Sequence, residues 1–130
     1  RFSNFHVAAN CAPTRAMLMT GVNNHRAGVG NIIEMIPDEF RESPAYQGTL
    51  STDTVTIATL LRDAGYHTYM AGKWHLGNAN TAYWPQQRGF DSFYGHLNGG
   101  IGYFDRVFSG GLDWQMPAHA DNSSQYCTGS

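Results

Sequence analysis

The sequence predicts an α/β fold, and three observations predict it. Residues 51–64 carry apolar side chains at helical spacing. Residues 66–71 follow as an extended run, and a helix followed by a strand is a basic α/β unit. Residues 1–9 read as a further strand that breaks into a helix at Asn10-Cys11-Ala12-Pro13.

In chain order, Phe2, Phe5 and Val7 mark residues 1–9 as a buried strand with an imperfect period of two. Pro13 suits the first turn of a helix, where its missing N–H costs nothing. Residues 14–20 form a short helical run, and Gly21 is placed to stop it. Cys11 is therefore expected at a strand-to-helix junction, just before a helix N-terminus. Residues 21–48 have no clean period and contain Gly28, Gly30, Pro37 and Pro44. They read as a long loop with one helical turn near residues 38–41, and long loops in enzymes often border active sites.

Residues 51–64 are the clearest helix: Ile57, Leu60, Leu61 and Ala64 follow the i, i+3, i+4, i+7 rule. Asp53 or Thr54 is expected to cap its start and Gly65 to end it. The strand over 66–71 runs into the tight loop Gly72-Lys73-Trp74-His75-Leu76-Gly77. Open α/β sheets bind ligands at the carboxyl ends of their strands, where this loop would lie. From Asn78 onward the chain is aromatic and rich in glycine, without repeats or a linker.

The 130 residues suit one domain or a piece of a larger one. Apolar residues make up 42% and charged residues 14%, against about 25% charged in ordinary domains. A net charge of -2 points to neither a nucleic-acid nor a membrane-surface partner. No apolar run is long enough to span a bilayer. The chain begins at Arg1, without a recognisable leader, and ends on a polar stretch, so its natural ends are expected to lie outside it. Cys11 and Cys127 are the two cysteines, too few for a disulfide framework; they could pair, and the redox compartment stays open.

Two clusters carry chemistry. In Cys11-Ala12-Pro13-Thr14-Arg15, a helix N-terminus favours a cysteine thiolate. Arg15 lies one helical turn on and offers a planar fork for an oxyanion. Taken alone, the pattern also describes a buried cysteine beside a capping arginine. A cysteine-dependent phosphatase would want a longer phosphate-cradling loop than the three residues between Cys11 and Arg15. The second cluster, Lys73-Trp74-His75, adds a cation and an imidazole; alone, it also describes a solvated lysine and a satisfied histidine. Together the clusters suggest an anion pocket in which Arg15 and Lys73 hold charge and His75 moves protons.

At these residues the chain resembles the type I sulfatases. Ala-Asn-Cys-Ala-Pro-Thr-Arg-Ala-Met-Leu-Met-Thr-Gly, ending at Gly21, resembles the first sulfatase signature, built on Cys-x-Pro-x-Arg. Gly-Tyr-His-Thr-Tyr-Met-Ala-Gly-Lys-Trp-His, ending at His75, resembles the second. Arg88-Gly89-Phe90-Asp91-Ser92-Phe93-Tyr94-Gly95 resembles the segment that follows in arylsulfatases. The resemblance spans residues 1–114, leaving 115–130 unassigned, and implies a partial sulfatase catalytic domain over 1–130. Asn10 stands where the family has a small or apolar residue, and Thr14 where serine is commoner; neither change removes a functional group.

The resemblance implies an alkaline-phosphatase-like sandwich with a central, mostly parallel sheet, of which this chain is an N-terminal portion. It implies sulfate ester hydrolysis of the arylsulfatase type, with Cys11 converted to formylglycine by a formylglycine-generating enzyme. One hydroxyl of the hydrated aldehyde attacks sulfur and expels the alcohol; the other then loses its proton, sulfate is eliminated and the aldehyde returns. By the same resemblance Cys11, Arg15, Lys73 and His75 are catalytic. Arg15 stabilises the diol, Lys73 binds sulfate oxygens, and His75 accepts the proton. A divalent cation, calcium above all, would bind the modified Cys11 and a sulfate oxygen. Its other ligands are expected outside this chain, which alone would then bind metal poorly and turn over little substrate. Asp121-Asn122 has the letters of a metal pair but comes too early and reads as a polar loop.

Bland roles suit the remaining candidates. His25 and Arg26 read as surface residues near a possible substrate entrance. Tyr83, Trp84, Tyr103 and Trp114 read as core packing or as an aromatic substrate wall. His6, His67, His96 and His119 show no metal-ligand spacing. Two rival functions stay open. One is a phosphonate monoester or phosphodiester hydrolase with the same formylglycine motif, distinguished by comparative turnover. The other is a non-catalytic sulfated-glycan binder that keeps the fold, distinguished by an unmodified Cys11. An exported or lysosome-like location is favoured over a cytoplasmic one.

Overall fold

A computed structural model describes residues 1–109 and 111–116. The chemistry is positioned by two helices and a parallel strand pair: α1 (Cys11–Thr20), α2 (Ile57–Asp63), β1 (Tyr69–Lys73) and β2 (Ser92–His96). A short hairpin, β3 (Val107–Phe108) and β4 (Gly111–Leu112), follows. Single 3-10 turns occupy Ile33–Met35, Asp38–Phe40, Thr81–Tyr83 and Pro85–Arg88. No described helix is long and apolar enough to cross a membrane.

β1 and β2 pair in parallel register, Tyr69 opposite Ser92 and Lys73 opposite His96. Parallel strands need a crossover connection, which here is the chain between β1 and β2 with its two 3-10 turns. Pairing starts at Tyr69 because Thr68 is already engaged: its N–H donates to Asp91 Oδ2 at 2.9 Å and its carbonyl accepts from Asp91 N–H at 2.8 Å. The strand therefore begins later than residue 66 and runs past Ala71 to Lys73.

The core gathers Trp74, Phe93, Leu50, Leu76 and Val29, all fully buried, with Ala12 and Ala16 of α1 against them. Small side chains on the inner face of α1 let that helix approach closely. Gly21 ends α1 in the left-handed region, φ 70°, and its N–H returns to the Met17 carbonyl, as expected for a glycine stop.

Two expectations are corrected. Residues 1–9 form no strand, and Phe2, Phe5 and Val7 are exposed. A strand needs a neighbour for its backbone groups, and no described segment pairs with these residues. Residues 51–64 give a shorter helix, which starts after Thr56 rather than at Asp53 or Thr54. The buried Arg88 donates to the carbonyls of Ser51 at 2.9 Å and Thr54 at 2.8 Å, holding them in a turn. Thr56 caps the helix instead, accepting from Thr59 N–H at 3.2 Å. α2 also turns Ala58 inward, while Ile57, Leu60 and Leu61 stay exposed. The expected apolar face is thus not the one that packs among the described residues.

Candidate active site

Three elements converge on one edge. Cys11 is the first residue of α1, within the helix rather than before it. β1 ends at Lys73 and delivers Trp74 and His75 at its carboxyl end. β2 ends at His96 and delivers residues 97–99 at the same edge. Two bonds tie these strand ends together: Trp74 N–H donates to the His96 carbonyl, and His75 N–H to the Leu97 carbonyl, each at 2.9 Å.

The two clusters meet in space. Cys11 Sγ lies 3.2 Å from His75 Nδ1. Arg15, one turn along α1, donates its Nε–H to the Trp74 carbonyl at 2.6 Å. That bond clamps the helix to the loop bearing Lys73 and His75. Lys73 is partly buried at the end of β1, close enough for its charge to act on His75. His75 adopts a left-handed backbone, φ 57°, which is uncommon for a residue with a side chain. Strain of this kind persists where surrounding structure enforces it, often at functional sites.

The electrostatics follow from this packing. Burial, then the Lys73 cation, holds the His75 imidazole below the ordinary histidine range; Arg15 and His96 add to the effect and Glu34 opposes it. His75 is therefore neutral at pH 7 and able to accept a proton. Burial also lowers the Arg15 guanidinium, with Cys11 acting against that shift. An arginine keeps its charge at neutral pH regardless.

Four contributors were not legible as site residues. Asn31 accepts from the Asn10 side chain at 2.8 Å and so ties the start of α1 to the Ile33–Met35 turn. The carbonyl of Trp74 holds Arg15. Gly99 lies against the His75 ring, where an added Cβ would sit 2.7 Å from Cε1 and Nε2. Asp113 is buried and accepts from Leu97 N–H at 3.3 Å and Asn98 N–H at 2.8 Å. Of these, only Gly99 carries a sequence signal, since a Gly-Gly pair marks a turn.

The other candidates lie elsewhere. His25 is exposed and meets Tyr46, its Nε2 lying 3.1 Å from the hydroxyl. Tyr103 is exposed, while Trp114 packs edge-on against Tyr94 at 5.1 Å. Tyr83 lines a cavity of about 390 Å³ with Glu42, Thr49 and Ser51, and none of the four predicted catalytic residues borders it. Asp121, Asn122, His119 and Cys127 fall outside the described residues.

A calcium ion requires several oxygen ligands. Among the described residues no group of three His, Cys, Asp or Glu could hold a metal ion, and the neighbours of Cys11 are nitrogen donors and cations. These residues do not by themselves fit such a cation. An aldehyde-bearing residue 11 does fit, because the position is exposed, opens a helix and faces an imidazole.

Comparison with known proteins shows the family of the chain. The Sulfatase family model matches residues 1–115. An uncharacterized sulfatase of Schizosaccharomyces pombe is 40% identical over 80% of this chain and 19% of its own length. The arylsulfatase of Klebsiella aerogenes is 37% identical over 81% of this chain and 22% of its own. The chain thus spans about a fifth of the length of the curated relatives it matches. Among solved structures, Ps i-CgsB superposes with a TM-score of 0.60 at 38% identity, over 75% of this chain and 20% of that one. The PsFucS1 sulfatase from Pseudoalteromonas sp. superposes with a TM-score of 0.51 at 28% identity, over 74% and 17%. The fold is accordingly part of an alkaline-phosphatase-like α/β sandwich, and the chain belongs to the sulfatase family.

Proposed function

We propose that this chain bears the nucleophile of a sulfuric ester hydrolase of the arylsulfatase type. The observation that carries this is the 3.2 Å approach of Cys11 Sγ to His75 Nδ1. Converted to formylglycine by a formylglycine-generating enzyme, residue 11 would supply a hydrated aldehyde as the group that attacks sulfur. His75, kept neutral by burial and Lys73, would take a proton from residue 11. Arg15 uses its Nε–H on the Trp74 carbonyl, leaving its terminal N–H groups for an oxyanion, in the fork geometry that suits sulfate. Lys73 would add a second cation for sulfate oxygens. The calcium expected from the family finds no carboxylate cluster among the described residues, and no step here depends on it.

The test is the intact protein co-expressed with a formylglycine-generating enzyme, offered an aryl sulfate and an aryl phosphodiester side by side. Mass spectrometry of the Cys11 peptide should find the aldehyde, and the sulfate should be turned over in preference. A residue 11 that stays a thiol, or an aldehyde-bearing protein that prefers the phosphodiester, overturns the proposal.

A further inference from the structure

We infer that Asp113 and Gly99 are positioning residues that aim the His75 imidazole at residue 11. The inference rests on the proposed role of His75 as proton acceptor. His75 sits beyond the end of β1 with a left-handed backbone, φ 57°, so its own conformation does not hold it in place. Two contacts do. Its N–H donates to the Leu97 carbonyl at 2.9 Å, and its ring lies against Gly99, with room for a hydrogen there but not for a methyl group. Both contacts come from the turn that leaves β2.

Asp113 determines where that turn lies. Its carboxylate is buried, and its two oxygens accept from successive backbone N–H groups, Leu97 at 3.3 Å and Asn98 at 2.8 Å. The Gln115 backbone exchanges two further bonds with Gly95, at 3.0 and 2.6 Å, anchoring the same segment beside β2. Charge-assisted acceptance of two consecutive N–H groups fixes a turn more firmly than neutral bonds would. The path therefore runs from Asp113 to residues 97–99, from there to the His75 backbone and ring, and on to Cys11 Sγ. The Asp113 carboxylate bonds to Leu97 and Asn98 and not to Cys11 or His75, so its effect is geometric.

Gly99 provides a clean lever. Its backbone is not in the left-handed region, so alanine meets no positive-φ strain there, and the three nearest heavy atoms to the added methyl all belong to the imidazole. Displacing a catalytic group by about 1 Å can cost on the order of 100-fold in rate.

The experiment has two arms. In the intact protein made without the modifying enzyme, residue 11 stays a thiol, and its alkylation rate by iodoacetamide is followed against pH. His75→Ala defines the profile of Cys11 without its partner. Gly99→Ala and Asp113→Asn should both shift the parent profile toward that of His75→Ala while keeping the parent's circular dichroism. In the modified protein the same two variants should lose roughly 10- to 100-fold in kcat on an aryl sulfate, with KM changed less than kcat. The alkylation arm reads the geometry even where the sulfatase proposal fails, because it needs no turnover. Parent-like profiles in both variants overturn the inference, as does a His75→Ala profile identical to the parent's. Should Asp113→Asn unfold the protein, Gly99→Ala decides alone.

Discussion

Cys11 and His75 stand 64 residues apart in sequence, yet Sγ and Nδ1 are 3.2 Å apart. Neither side chain reaches far. The contact exists because the Arg15–Trp74 bond pins α1 to the end of β1, and because residues 97–99 hold His75 from the other side. The Cys-x-Pro-x-Arg spacing thus serves structure as well as chemistry. The arginine one turn beyond the nucleophile is also the clamp that brings the second cluster to it.

Function and fold should separate at Cys11. The residue is exposed, and the His75 ring is the hydrogen-bond partner of its sulfur among the described residues. Cys11→Ala should leave stability within about 0.5 kcal/mol of the parent, as for other surface substitutions. Turnover of an aryl sulfate should fall to background, because residue 11 could no longer become an aldehyde. Thermal unfolding alongside the sulfatase assay checks both halves.

Arg15→Lys should not be conservative. Lysine keeps the charge but cannot place a guanidinium N–H on the Trp74 carbonyl while presenting a fork to an anion. A hydrogen bond from a charged group contributes about 1.5–3 kcal/mol, and Arg15 is only partly exposed. Arg15→Lys should therefore lower both Tm and kcat. An unchanged Tm would mean that the bond to Trp74 does not clamp α1.

Much of the site was legible in sequence because chemistry requires particular residue types at particular spacings. Cys11, Arg15, Lys73 and His75 were identifiable from two short motifs, and Gly21 from its place after a helical run. What motif and periodicity do not carry is the backbone pairing and capping that distant side chains decide. The strand over residues 1–9 looked buried by pattern, but no described neighbour pairs with it. The start of α2 departs from the periodicity because Arg88, far along the chain, holds the carbonyls of Ser51 and Thr54. Asp113 escapes sequence reading for the same reason: its carboxylate accepts two backbone N–H groups on another segment, which no motif marks.

The Arg88-Gly89 pair should prove structural. Arg88→Ala would remove the charged donor to the Ser51 and Thr54 carbonyls, leaving Ser51 O only its bonds from Thr54, and should cost about 1.5–3 kcal/mol. Gly89 has φ 101°, and an added Cβ would run into the Thr59 backbone N of α2. Gly89→Ala should therefore cost more than the roughly 1 kcal/mol typical of Gly→Ala changes at compatible sites, and with the opposite sign. Chemical denaturation of each variant would check this, and wild-type stability in either would show that residues 88–89 do not hold the start of α2.

The His75 environment makes a signed prediction about pH. An unperturbed histidine titrates near pH 6.5, and burial with the Lys73 cation lowers His75 from there. A His75 resonance followed by NMR should therefore titrate below that value. Lys73→Gln removes the cation that opposes protonation most strongly and should move the midpoint up; Glu34→Gln removes the carboxylate that favours protonation and should move it down. The acid limb of the aryl sulfate pH–rate profile should follow the same directions, because a protonated His75 cannot accept a proton. Stability has its own sign. A depressed folded value means that the unfolded chain binds more protons than the folded one, between the folded value and about pH 6.5. His75 therefore costs nothing above that window, and stability falls as pH drops through it. His75→Gln should flatten that part of the Tm–pH curve, whereas a steeper slope in the variant would show that the imidazole is stabilised as a cation in the folded protein.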